Sequence, residues 1–237
     1  MVRVFGIYAN GFCSRLLWQL FLLVTGVTTL LSGTASAQLF IPPKAGAPRT
    51  SVGAGTRSPF PVVEQQGRSV MPVLPKAQIG STVSSHPSLF VYVPESSARR
   101  VFFSIKDESG MQHHQARLQL PQGSGIAKVT VPETAPPLEI GKKYVWFLVF
   151  IGEEQLKPDS PMITGWIERR EPMNDLTGLV SLDYAADLGR AGLWYDMIAV
   201  LARLKQKHPE DPVVLQAWKT ELTSAGLAEI VGQPFLD

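Results

Sequence analysis

The chain has 237 residues, 22 Lys and Arg against 20 Asp and Glu, a formal charge of +2 and one cysteine, Cys13. With no block of Lys or Arg it lacks the long-range field that draws a protein onto nucleic acid or an anionic bilayer. A single cysteine excludes an internal disulfide, an iron–sulfur cluster and any multi-thiolate zinc site.

Residues 1–37 read as an export signal. Arg3 and Arg15 lead into the apolar run Leu16 to Leu31, and Ala35-Ser36-Ala37 supplies the small-residue pattern of a signal-peptidase site, placing cleavage between Ala37 and Gln38. The run has 16 residues and contains Gln19, short of the roughly 20 apolar residues that span a bilayer. No cysteine follows it to carry a lipid. Cleavage removes Arg3, Arg15 and Cys13, so the mature chain is neutral, with 20 basic and 20 acidic residues, and free of cysteine. It is long enough for one domain of moderate size or two small ones.

From Gln38 to Gly80, seven prolines and five glycines in 43 residues break both helices and central strands. This stretch, 38–80, is expected as an extended tether with Val70 to Leu74 pinned to a sheet edge, or as plain disorder. Short runs of β-branched and aromatic residues separated by turn signals follow. They predict strands over Leu89 to Val93, Val101 to Lys106, Gln112 to Leu120, Ile126 to Val131, Tyr144 to Ile151 and Ile163 to Arg169. Tyr144 to Ile151 is apolar on both faces, which marks a central strand whose outer face something else covers. Leu138 to Tyr144 resembles the approach to a tyrosine corner. In the closing strand Ile163, Gly165 and Ile167 point inward and Trp166 outward.

The last third is helical. Leu176 to Leu188 is the first helix, ending at Gly189 or Gly192. Leu193 to Lys207 carries the stripe Trp194, Met197, Ile198, Leu201 and Leu204. Asp211-Pro212 caps a third, with Val214, Leu215, Trp218 and Leu222 buried and Gly226 as its stop. A short last helix is expected over Leu227 to Val231. The second and third helices form a hairpin whose apolar stripe is expected on the surplus face of Tyr144 to Ile151. The fold class is therefore α+β: an antiparallel β-sandwich of immunoglobulin or fibronectin type over 81–170, followed by a small C-terminal α-helical unit over 171–237 packed on it.

Several motifs together point to a family. These are Gly55-Thr56-Arg57, Thr82-Val83-Ser84-Ser85-His86-Pro87 leading to Val91-Tyr92-Val93-Pro94, Gly141-Lys142-Lys143-Tyr144-Val145-Trp146, Gly165-Trp166-Ile167-Glu168-Arg169, and Gly192-Leu193-Trp194-Tyr195-Asp196 with Trp218 and Gly226-Leu227. As a set they resemble the domain of unknown function family numbered 928, from about Gly55 to Leu236. The family commonly has a longer glycine run where this chain has Gly53-Ala54-Gly55. The resemblance implies a cyanobacterial envelope or exported protein and implies no activity.

The chemistry-bearing residues form no catalytic set. His113 and His114 are adjacent, so in a regular strand they face opposite ways and read as a solvent-exposed pair beside a turn. His86 reads as structural. Asp183 and Asp187 share a helix face, with Asp196 on the next helix, but no loop of alternating acids with glycine accompanies them. Glu168-Arg169-Arg170 reads as a salt bridge locking sandwich to helices. Trp146, Trp194 and Trp218 fall on core faces, whereas Trp166 and Tyr195 are free to meet a ligand and Asp196 points away from the apolar stripe. Trp166, Tyr195 and Asp196 are thus the candidate binding residues; a hydrogen bond from Tyr195 or Asp196 to the preceding helix is the plainer alternative.

No catalytic residue, metal or cofactor is expected. The expected function is that of an exported, non-enzymatic envelope protein, in the periplasm or outside the cell, that binds another protein or a cell-surface component without nucleic acid or a stable membrane anchor. Two alternatives stand beside it: a hydrolase of a periplasmic polymer using Glu168, Asp183 or Asp196 as acid or base, and a carrier of a small ligand within the sandwich.

Overall fold

The computed structural model describes residues 38–41, 69–76, 79–95, 99–151, 156, 160–172 and 180–236. The expected signal segment, with Ala37, lies outside the described residues, as do 42–68 and the expected first turns of the first helix at 176–179. Among the described residues nine strands form two sheets, and three helices join them in a mixed α+β fold. The strands are β1 (Met71–Pro72), β2 (Ile79–Thr82), β3 (Ser88–Val93), β4 (Arg100–Asp107), β5 (Gln112–Gln119), β6 (Gly125–Thr130), β7 (Lys143–Ile151), β8 (Met162–Arg169) and β9 (Phe235–Leu236). The helices are α1 (Leu182–Arg190), α2 (Trp194–Lys207) and α3 (Pro212–Ser224), followed by a 3-10 turn over Ala228–Ile230 where a short helix was expected.

One sheet has the order β1-β3-β6-β9 and the other β2-β8-β7-β4-β5. The antiparallel expectation holds among the six expected strands, β3 to β8, but at the sheet edges β2 runs parallel to β8 and β9 parallel to β6. Parallel neighbours need long crossovers. Both pairs have them, because β2 and β9 come from opposite ends of the domain's sequence. Met71–Pro72 lies at a sheet edge against β3, where a proline costs no ladder bond.

Alternation explains the strands. In β7, Tyr144, Trp146, Leu148 and Phe150 are all buried on one face, and they join β3, β4, β6 and the helices in a single apolar cluster. The Tyr144 hydroxyl accepts from the Glu139 amide at 3.0 Å, tying the loop before β7 to the strand.

Each helix ends where local chemistry ends it. Ser181 caps α1 by accepting from the Tyr184 amide. Gly192, at φ 74°, stops it, a left-handed conformation that favours glycine; Gly189 instead lies inside the helix. Asp211 accepts from the Val213 and Val214 amides ahead of Pro212. In α3, Val214, Trp218 and Leu222 are buried as expected, but Leu215 is exposed and Glu221 takes its place in the core. The reason is rotational: Glu221 lies three residues after Trp218 and so shares its face.

The helices do not cover the surplus face of β7. The Trp146 indole N–H donates to the Tyr195 hydroxyl at 2.9 Å, and the Trp194 indole N–H donates to Val73 O at 2.9 Å. They therefore pack on the core side of the five-stranded sheet. Once Trp194 and Tyr195 are both apolar anchors, the hairpin's stripe is satisfied by the same core as the strands; on the other face of β7, Val145 and Ile151 are buried while Phe147 and Val149 are half-buried.

Candidate functional site

The three sequence candidates meet at one seam, although two of them are not free. Tyr195 is buried, since its ring lies over Gly80, where a Cβ would stand 2.8 Å from it. Its hydroxyl accepts from the Trp146 indole and donates to Trp166 O at 3.0 Å. The expectation that Tyr195 meets a ligand is thus corrected. Its spacing of three from Ile198 and seven from Ala202 widens the buried face of α2 beyond the stripe read from sequence. Burial pushes its phenol far above the ordinary range.

Asp196 does leave the stripe, but its carboxylate is occupied. It accepts from the Thr82 hydroxyl and the Val83 amide, both at 3.1 Å, so it holds the end of β2 rather than the preceding helix. Burial raises its pKa from 3.8 to about 6, against the opposing pull of these two donors. Tyr195 and Asp196 together fasten α2 to the edge of the five-stranded sheet.

Trp166 alone remains at a surface. Register places it on the face opposite the core: Trp166 pairs with Val145 and Ile79, Met162 with Val149, and Phe102 with Val149 from the other side. Paired residues on neighbouring strands point the same way. The result is an apolar face in which Ile79, Val145 and Ile151 are buried, Trp166, Phe147, Val149 and Phe102 are half-buried and Met162 is 37% exposed. Lys106 lies over the Phe147 ring at 6.0 Å, and register adds Arg117 and Lys143 around the apolar centre, with Glu168 opposite Lys143. The doubly apolar pattern of β7 carried the signal for this surface. Phe102 and Met162 were missed because each is a single apolar residue among polar outward neighbours.

The remaining candidates are structural. A bulge between Ile105 and Lys106 places His113 beside the Tyr144 ring at 4.8 Å and His114 beside Phe103 at 6.3 Å. The expectation of a solvent-exposed pair on opposite faces fails, because a bulge sets two residues against one. His113 Nε2 lies 3.0 Å from Pro136 O. His86 bridges, donating from Nε2 to Ala135 O and accepting at Nδ1 from the Ser85 hydroxyl, each at 3.0 Å. Arg169 donates to Val83 O and Leu138 O, while Arg170 lies 3.8 Å from Glu168. This cluster ties β8 to neighbouring loops, not to the helices. Asp183 is exposed and Asp187 pairs with Arg190. Among the described residues no group of His, Cys, Asp and Glu is arranged to hold a metal.

Two grooves flank α2. One, of about 640 Å³, includes Lys205, Lys219, Leu215 and Phe235 in its lining, and the other, of about 450 Å³, includes Lys128 and Arg203. Neither lining contains Glu168, Asp183 or Asp196. Lys205 lies over the Phe235 ring at 4.9 Å, and burial lowers its pKa.

No helix among the described residues is long and apolar enough to cross a membrane. No curated protein matches the chain. The family described as Domain of Unknown Function (DUF928) matches residues 52–235, which takes in both sheets and all three helices. A match of that extent settles membership: the chain belongs to the Domain of Unknown Function (DUF928) family.

Proposed function

We propose that this is an exported, non-enzymatic interaction module of the cell envelope, built on a β-sandwich of immunoglobulin or fibronectin type, that binds a protein partner through the outer face of its five-stranded sheet. The observation that carries the reading is the apolar patch of Trp166, Phe147, Val149, Phe102 and Met162, half-buried to exposed on the sheet face opposite the one that α2 packs against. Apolar patches rimmed by polar residues mark interaction sites, and aromatic and Met side chains are enriched at interface centres. Lys106, Arg117 and Lys143 outnumber Glu168 around it, so a partner with an acidic rim fits. The bond from Glu139 N to the Tyr144 hydroxyl supports the sandwich assignment, because a tyrosine corner makes this kind of link. Residues 1–37 support export.

The test is cross-linking of the envelope fraction with wild-type protein and with Trp166→Ala combined with Met162→Ser. A reproducible partner lost in the double variant, with melting temperature held, is expected. The same partner recovered by both proteins, or none by either, would sink the reading.

A further inference from the structure

Gln38–Ile41 is held by the helices. The Leu39 and Phe40 amides donate to the two oxygens of one carboxylate, Glu221, at 2.5 and 3.1 Å, and the Ile41 amide donates to Gly189 O at 3.0 Å. Phe40 is buried, with its ring edge-on to Trp194 at 4.8 Å. Gly189 has no side chain where a Cβ would stand 2.6 Å from Leu39 O. Each helix thus supplies one wall of a slot shaped for main chain. Glu221 is fully buried, and among the described residues no cation is paired with it. A buried carboxylate without a cation is costly even when amides satisfy its oxygens.

We propose that this slot is the receptor for the N-terminus made when the Ala37–Gln38 bond is hydrolysed, the new Gln38 ammonium supplying a cation that Glu221 does not find among the described residues. The proposal rests on the export reading. Hydrolysis adds one water across the bond; Ala37 leaves as a carboxylate and Gln38 keeps the nitrogen, which takes up a proton. Backbone geometry keeps neighbouring amide nitrogens within about 3.6 Å, and Leu39 N is 2.5 Å from Glu221 Oε1. The ammonium therefore comes within about 6 Å of the carboxylate, where opposite charges next to a low-dielectric core attract strongly. Before cleavage the same nitrogen is a neutral amide. The Gln38 side-chain amide donates to Phe40 O at 3.0 Å, so it lies along the segment. The folded domain thereby distinguishes its processed from its unprocessed form.

The test compares protein beginning at Gln38 with protein that retains Ala37 in front, which moves the charge one residue outward. The Gln38 form is expected to melt higher by about 3 °C or more, and Glu221→Gln is expected to abolish the gap. Gly189→Ala, which crowds Leu39 O, is expected to lower both forms and to speed hydrogen exchange at the Leu39 and Phe40 amides. Equal melting temperatures for the two forms, or a gap that survives Glu221→Gln, would overturn the proposal. So would a Gln38 form lighter by one ammonia, since cyclisation of that glutamine abolishes the charge. The mass of the protein recovered from the envelope tests export separately. Absence of the protein from the envelope would refute export, and a chain there still beginning at Met1 would refute cleavage at Ala37–Gln38, while either leaves the comparison of the two prepared forms intact.

Discussion

Asp196 accepts from Thr82 and Val83 at the edge of the five-stranded sheet, and burial raises its pKa from 3.8 to about 6. A carboxyl group whose folded pKa lies above its unfolded value binds the proton more tightly in the folded state. Its contribution is full below the unfolded pKa and is lost as pH rises through the folded one. Stability should therefore fall between about pH 4 and about pH 6 by about 2–3 kcal/mol from this residue, then level off. Denaturant midpoints across that range check it, and Asp196→Asn should remove most of the slope. An unchanged slope in that variant would place the titration elsewhere. Sequence showed that Asp196 leaves the apolar stripe, but not that Thr82 and Val83 wait for it, because those donors lie 114 and 113 residues away. Glu221 was overlooked for the opposite reason. A carboxylate in the stripe of Val214, Trp218 and Leu222 breaks the apolar pattern, and only its fit to the Leu39 and Phe40 amides explains it.

At the scale of elements, periodicity and capping were legible. All six expected strands form within about two residues of their expected ends, and α2 begins one residue late. The Asp211-Pro212 pair marks the start of α3 for a local reason, since its side chain satisfies two amides that the helix cannot. Asp211→Ala should accordingly cost about 1 kcal/mol, whereas Asp211→Asn should cost little; urea unfolding of both variants measures the difference. The bulge in β5 was not legible. His113 and His114 look like any adjacent pair, and only pairing with β4 shows that one partner residue faces two. The parallel edges β2 and β9 were equally hidden, because a strand of two or four residues carries too short a pattern to name its neighbour.

At the scale of the whole molecule, the two sheets and the helices share one apolar cluster. Phe235 of β9, at the end of the chain, packs against Phe90 of β3 and Trp218 of α3, with ring centroids 6.3 and 5.3 Å apart. Residues 38–237 should accordingly unfold in one cooperative transition, with calorimetric and van't Hoff enthalpies in agreement. Two separable transitions, or a stably folded helical fragment after cleavage between 171 and 181, would contradict a shared core. The sequence by itself determined the strand and helix pattern, the family, the lack of a disulfide framework and the presence of two apolar faces on β7. Each follows from residue type and spacing along the chain. Tertiary structure alone decided which face the helices take, that Tyr195 is an anchor rather than a contact residue, and that Trp166 is half-buried on the opposite sheet face. Periodicity counts the apolar sides of an element, but the partner of each side is chosen by residues a hundred positions away.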